Sequence, residues 1–402
     1  MAGGEPLRFL YLHPVVIPDP EANVVQAAET CRALAEQGHE VFLIVQKLRG
    51  DSREACLEAL GLEPHSRLHL VEEPAIRLKN SSGLASLWVR FGLLWFLKAL
   101  VKKRRTILYY RTLKDSRLAR FMLLASRLLG VPAIYEAHKH YLEKRRGQDF
   151  HLGALRRMDR LERRAVCESS GVVASHPLLE ESLKEQYHTR RPVITIPNGV
   201  RLMRVASVPG EFDAIYAGSL FPWKGVDICL EAAARIEGCR LAVVGGNPEE
   251  RLLELRARAG ELGLSGRVTF FGQLPRVKTL ELVASSAASL IPLAVGHEEG
   301  DQHTCPLKML EAMSLGVPVV AADTPALRCF VEDGKTALLY EPGSSESLAN
   351  CLQRLLEQPE LAERLRSAGR EVAERFSYQA RARKIEEFAR SLLGHRSPGD
   401  RQ

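Results

Sequence analysis

Long apolar runs are missing from this 402-residue chain. No stretch reaches the ~18 uninterrupted apolar residues that a bilayer-spanning helix needs. The opening residues, MAGGEPLRFLYLHPVVIP, have no basic start and no small-residue cleavage site, and His13, Pro14 and Pro18 break their apolar run. A buried first strand is expected there rather than a signal peptide. The eight cysteines (Cys31, Cys56, Cys167, Cys229, Cys239, Cys305, Cys329 and Cys351) form no C-x-x-C pair. That excludes the usual zinc spacings and a disulfide framework, and leaves reduced thiols in a cytosolic protein. No Asp-x-Asp pair occurs, so no metal is expected. Low-complexity tracts and internal repeats of about 20–50 residues are absent too, which excludes array architectures.

The chain is too long for one ordinary hydrophobic core, so two or more domains are expected. Its 46% hydrophobic and 26% charged residues suit a soluble globular protein. The net charge of +7 is unevenly spread. Residues 1–200 carry 31 Lys+Arg against 22 Asp+Glu, a net +9, whereas residues 201–402 carry 25 against 27, a net −2. A basic first half implies an anionic partner: nucleic acid, phospholipid or a phosphorylated acceptor.

Short apolar runs alternate with longer amphipathic segments. The first half holds RFLYLH, EVFLIVQ, TILYYR, PAIYEA, GVVAS and PVITIP; the second holds DAIYAG, RLAVVGG, RVTFFG, ASLIPL, VPVVAAD and TALLYEP. Such runs fit strands buried on both faces, with the amphipathic segments as crossover helices. Two sets of strands imply two doubly wound parallel sheets. The boundary falls in residues 201–213, after the turn signal Pro197-Asn198-Gly199. The domains expected are 1–203, joined by a C-terminal crossover helix over 377–393, and 204–376.

Four segments carry candidate chemistry. In HTCPLKMLEAMSLGVPVVAAD (His303–Asp323), a loop enters a helix near Thr304, Cys305 and Pro306. A helix N-terminus presents unpaired N–H groups that suit a diphosphate; Thr304 can cap it and Glu311 can accept from a ribose. An ordinary crossover helix with solvated Lys308 and Glu311 is the alternative. In YAGSLFPWKGVD (Tyr216–Asp227), Gly218 ends a strand, and a tight loop brings Ser219 and Lys224 to the C-terminal edge of a sheet, where a cation neutralises a leaving phosphate. In IYEAHKHY (Ile134–Tyr141), Glu136, His138 and His140 gather at one strand end, and histidine suits proton transfer near neutral pH. In LASLWVRFGLLWFLKALVKKRRT (Leu84–Thr106), Trp88 and Trp95 precede Lys102, Lys103, Arg104 and Arg105. That segment fits either an interfacial helix on anionic lipid or a core helix with a solvated basic end.

The order and spacing of AAETCRALAEQGHEVFLI, VPAIYEAH, VITIPNGV, YAGSLFPWKGVD, VTFFGQLP and CPLKMLEAMSLGVPVVAAD resemble family 4 of the retaining glycosyltransferases (group 1) over nearly the whole length. The resemblance implies the GT-B fold: two Rossmann-like, doubly wound parallel-sheet domains facing across a cleft, with the donor nucleotide-sugar mainly on the second and the acceptor on the first. It implies that Glu311 is the second Glu of the family's Glu-x7-Glu motif and holds a ribose. Lys224 then meets the diphosphate together with the amides of Leu307 and Lys308, Leu274 lies in the base-binding loop, and His138 lines the sugar site. Three positions depart from the pattern. His303 stands where the first Glu belongs, Ser219 where an arginine is usual, and Glu21-Ala22 where a glycine pair follows the first strand. These changes bear on the donor sugar more than on the fold.

The expected function is metal-independent transfer of a hexose, with retention, from a nucleotide-diphosphate sugar to a membrane-associated or lipid-linked glycan, in the cytoplasm and peripherally on the membrane face. No cofactor and no nucleic-acid partner are expected. A catalytically silent scaffold of the same fold and a same-fold nucleotide-sugar epimerase are the alternatives.

Overall fold

The structure is a computed structural model that describes residues 5–19, 21–72, 98, 101, 105–111, 116–138, 152–203, 210–293 and 306–394. The chain divides into two compact units, residues 1–199 with 378–402, and residues 200–377.

The sheet of unit 1 is entirely parallel. Its strands are β1 (Arg8–Leu12), β2 (Glu40–Val45), β3 (Leu68–Glu72), β4 (Thr106–Tyr110), β5 (Ala133–Ala137), β6 (Gly171–Ala174) and β7 (Val193–Thr195), in the order β3-β2-β1-β4-β5-β6-β7. Six of the seven coincide with the apolar runs of the first half. The seventh, β3, reads LHLVE and was not among the expected strands. It is one of the two edge strands, with alternating burial, so it needs no continuous apolar run. The order reverses between β1 and β4, and in doubly wound sheets ligands bind outside the C-terminal strand ends at such a point.

The helix α1 (Ala22–Glu36) covers one face, burying Val24, Ala27, Ala28, Cys31 and Leu34. Beside it packs the C-terminal helix, Tyr378–Gly394, which belongs to unit 1 although unit 2 separates it in sequence. Gly199 makes room for it: a Cβ there would stand 2.4 Å from the Tyr378 ring. Arg381 of this helix is 3% exposed. Its guanidinium donates to the Ile196 and Pro197 carbonyls at 2.7 Å each, to Thr30 at 3.1 Å, and to the buried Glu136 carboxylate at 2.6 Å.

Unit 2 is built on six parallel strands, β8 (Ala214–Ala217), β9 (Leu241–Val244), β10 (Val268–Gly272), β11 (Ser289–Ile291), β12 (Val319–Ala322) and β13 (Leu338–Tyr340), in the order β10-β9-β8-β11-β12-β13. All six match the expected runs, and the reversal lies between β8 and β11. The helices of this unit include α2 (Val226–Arg235), α3 (Arg276–Ala284) and α4 (Leu307–Ser314). No disulfide links the described cysteines. No helix among the described residues is long and apolar enough to cross a membrane.

Removing one partner of a buried, hydrogen-bonded ion pair strands the other charge, at a cost of roughly 3–5 kcal/mol. Arg381→Met is therefore expected to lower the unfolding free energy of unit 1 by that amount in denaturant titrations. Adding Glu136→Gln is expected to recover part of the loss. A single mutant as stable as the parent would contradict the role given to this pair.

Candidate functional site

At the C-terminal edge of the unit 2 sheet, three strands end on glycines that interlock. Gly218 donates to the Val244 carbonyl at 2.8 Å, and Gly245 donates to the Gly272 carbonyl at 2.8 Å. Gly245 has φ +152°, and a Cβ on it would stand 1.9 Å from the Gly218 oxygen. On Gly218 itself, at φ +153°, a Cβ would stand 1.6 Å from Lys308 Nζ. The bare glycine thus lets the Lys308 ammonium lie against the strand end. Lys308 Nζ donates to the Tyr216 hydroxyl at 3.1 Å, and that hydroxyl donates to the Ser219 carbonyl.

Lys308 reaches this corner from α4. Its neighbours Met309, Leu310, Ala312 and Met313 are buried and fix the helix against the core. Pro306 occupies the N-cap position and supplies no side-chain acceptor, so the first-turn amides, that of Leu307 included, have no side-chain cap. Thr304, the expected cap, lies outside the described residues, as do His303 and Cys305. Lys224 ends a 3-10 turn, Pro222–Lys224, which Gly225 closes at φ +71°, and its ammonium sits 3.5 Å from the centre of the Trp223 ring. Burial, and then the nearby Lys224 charge, lower Lys308 to a pKa of about 7. A buried lysine and a half-buried one lie near a helix start that has no side-chain cap among the described residues, an arrangement that favours an anion.

Glu311, one turn along α4, pairs with Arg276 at 2.6 Å. Arg276 was not among the expected residues. It opens α3 directly after Leu274 and Pro275, where the chain leaves β10. Leu274 is half-buried against the unit 2 core.

Unit 1 places a second polar group at its own C-terminal strand ends. Glu136, on β5, is fully buried. It accepts from Arg381, from the Tyr11 hydroxyl at 2.9 Å, and from His138 Nε2 at 2.7 Å. Burial alone would raise its pKa, but Arg381, Arg111 and His138 overcome that and hold the carboxyl well below its usual range. His138 is lowered to about 4, by burial first and Arg111 second, and is therefore neutral at physiological pH. With Nε2–H given to Glu136, its Nδ1 faces Arg111 Nη2 at 3.5 Å. Glu136 and His138 do gather at this strand end, but the Glu136 side chain is wholly buried whereas that of His138 is 24% exposed. The carboxylate is enclosed in an ion pair, and both imidazole nitrogens face neighbours within the unit; His140 lies outside the described residues. Ala22 is exposed at the first turn of α1, directly after Glu21, so that position holds a helix start instead of a glycine loop.

Comparisons with known proteins agree with this architecture. Residues 24–204 match the model described as Glycosyltransferase Family 4, and residues 204–372 match Glycosyl transferases group 1. The chain belongs to the group 1 glycosyltransferases of family 4. Among its relatives is the phosphatidyl-myo-inositol mannosyltransferase of Mycobacterium leprae, 31% identical over 48% of this chain and 52% of that protein, so the match spans about half the relative's length. The alpha-D-kanosaminyltransferase of Streptomyces kanamyceticus is 25% identical over 72% of this chain and 78% of that protein. Among solved structures, Anabaena HepE in complex with UDP and glucose superposes with a TM-score of 0.69 at 19% identity, covering 96% of this chain and 100% of that one. Together with the two parallel-sheet units, this likeness gives the GT-B fold.

Of the residues that the family resemblance pointed to, Gly218, Ser219, Lys224, Leu307, Lys308, Glu311 and Leu274 all belong to unit 2, and the first five surround one strand end. His138 and Ala22 belong to unit 1. Arg105 precedes β4 and is ion-paired with Glu5; Trp88, Trp95, Lys102, Lys103 and Arg104 lie outside the described residues. Tyr216, Arg276, Arg381 and Arg111 were missed. Arg111 alone had a usable signal, its place one residue past a strand in TILYYR.

Two outcomes are expected. Gly218→Ala forces Lys308 out of its corner, so affinity for nucleoside diphosphates is expected to fall at least about tenfold while far-UV circular dichroism is retained; unchanged affinity would show that Lys308 does not meet the ligand. Because the anion favours charged Lys308, binding above about pH 7 is expected to take up a proton and to weaken by up to about tenfold per pH unit. Calorimetry in buffers of different ionisation heat measures that uptake, and Lys308→Met is expected to abolish it.

Proposed function

We propose that the protein is a retaining glycosyltransferase that moves a hexose from a nucleotide-diphosphate sugar to a glycan or lipid-linked acceptor. The observation that carries this proposal is the corner of Gly218, Lys224 and Lys308 at the uncapped start of α4. It places two ammonium groups and the first-turn amides of a helix start at a C-terminal strand end, where a diphosphate can meet them. Solved relatives bound to UDP and to UDP-glucose support a nucleotide sugar as the donor.

Transfer then proceeds by displacement on one face of the sugar. As the bond to the leaving diphosphate lengthens, Lys224, Lys308 and the Leu307 amide stabilise the negative charge that develops on it. The leaving oxygen accepts the proton of the attacking hydroxyl, and no protein carboxylate forms a covalent intermediate. Glu311 accepts hydrogen bonds from the ribose hydroxyls, with Arg276 fixing the rotamer of its carboxylate. These charges do the work without a metal. The acceptor belongs to unit 1. A basic first half and relatives named for phosphatidylinositol and for lipopolysaccharide biosynthesis support a membrane-associated acceptor, with the protein on the cytoplasmic face.

A thermal-shift screen against UDP, GDP, ADP and their sugar conjugates, with and without EDTA, tests the donor site. A ligand at about 100 times its dissociation constant stabilises by about 2.7 kcal/mol. One nucleotide family is expected to give that shift, unaffected by EDTA and lost in Lys224→Ala and Glu311→Ala. A shift without turnover on any acceptor would favour a silent scaffold, and no shift at all would overturn the proposal.

A further inference from the structure

Unit 1 has its own switch point, between β1 and β4, and each of these strands is followed at once by a basic side chain. His13 follows β1 and Arg111 follows β4. Both are buried, at 5% and 8% exposure. Among the described residues, Arg111 has no ion pair, and its Nη1 has no hydrogen-bond partner. Arg111 Nη1 is thus a buried donor without a partner among the described residues, which is costly while it stays so. The His13 ring meets the backbone of Asn23.

Arg381 and Glu136 neutralise one another in direct contact. His138 is neutral, and burial followed by the Arg111 charge lowers His13 to about 3, so it is neutral as well. Among the described residues, no carboxylate contacts the buried guanidinium of Arg111 directly, and the charge it feels is that of Glu136, which Arg381 already pairs. The orientation of the Arg111 guanidinium is set: His138, held by Glu136, meets Nη2, and Nη1 stays open. The same bonded network also leaves carbonyl oxygens unused. Among the described residues Gln26 Oε1 is buried without a donor, and Gln26 is tied to this network through Thr30 and Gly199; Asn198, one residue before Gly199, has its Oδ1 buried without a donor as well. An open guanidinium takes an oxyanion, and open amide oxygens take hydroxyls.

We propose that Arg111, with His13, forms an anion-binding corner at the switch point of unit 1, which receives a phosphate group on a hydroxyl-bearing acceptor. This rests on the assignment of the acceptor to unit 1 and adds the chemical class of that acceptor. The phosphate is either that of a small soluble phosphate ester or that of a lipid headgroup. Arg111 binds and positions it, and bond making stays with the donor.

Binding is measured on the full chain by calorimetry with glycerol 3-phosphate, with and without saturating UDP, so that occupancy of unit 2 does not confuse the result. Sedimentation with phosphatidylinositol vesicles, against phosphatidylcholine vesicles, forms the second arm. Saturable binding of the soluble ester, persisting with UDP and at least tenfold weaker in Arg111→Gln, is expected for a soluble phosphate. Vesicle binding lost in Arg111→Gln, without binding of the soluble ester, is expected for a headgroup. Arg111→Lys is expected to fall between parent and Arg111→Gln, since it keeps the charge and loses the planar fork. Without ligand, Arg111→Gln is expected to melt no lower than the parent, because Arg381 alone pairs Glu136 directly and Arg111 closes no ion pair among the described residues. A lower melting temperature would mark Arg111 as a structural residue and overturn the proposal. So would the failure of both probes to bind the parent, or equal binding by parent and Arg111→Gln. Failure of UDP to bind while glycerol 3-phosphate binds through Arg111 would remove the transferase assignment and leave the anion corner standing.

Discussion

At the centre of unit 1 a guanidinium and a carboxylate meet with almost no water around them. Arg381 comes from the last helix of the chain and Glu136 from the fifth strand, 245 residues earlier. Neither tolerates burial alone, so each fixes the other. Their contact also orders what surrounds it. Arg381 gathers the carbonyls of Ile196 and Pro197, which fixes the loop after β7. Glu136 fixes the tautomer of His138, and His138 turns Arg111 so that one face of its guanidinium stays open. The return of the C-terminal helix to unit 1 is thus a condition for the arrangement at its switch point.

Unit 2 solves a different problem, that of bringing two ammonium groups close to one strand end. Here the absence of side chains does the positioning. Gly218 and Gly245 let three strand ends and a lysine occupy a space that a single methyl group would fill. Burial and the Lys224 charge then bring Lys308 near its titration midpoint at neutral pH. A group poised in this way responds strongly to an arriving diphosphate, because the ligand itself supplies the charge that restores the ammonium. The carboxylate of Glu311 sits one turn away, already oriented by Arg276.

Much of the fold was legible because strands buried on both faces must be written in apolar residues. AIYA, LAVV and VVAA announce themselves, whereas the edge strand LHLVE alternates and did not. The glycines and lysines of unit 2 were legible for a related reason: each of the two segments, Tyr216–Asp227 and His303–Asp323, puts a strand or helix end and a lysine in close succession, although 92 positions separate Tyr216 from the Lys308 it meets. The polar network of unit 1 was not. Glu136 reads only as one of three polar residues at a strand end, because nothing near it in sequence shows that an arginine from the far end of the chain will neutralise it. Arg381 itself reads as one more basic residue in an amphipathic helix. Arg276 and Glu311 likewise meet only after folding, since 35 positions separate them.

The central claim is that unit 2 holds the nucleotide of the donor. Photo-crosslinking with an azido derivative of the UDP-sugar, followed by peptide mapping of the labelled protein, addresses it most directly. Labelled peptides are expected within residues 216–225, 272–276 and 306–311, with the labelling suppressed by excess UDP. Labelling confined to unit 1, or labelling that excess UDP leaves unchanged, would contradict it.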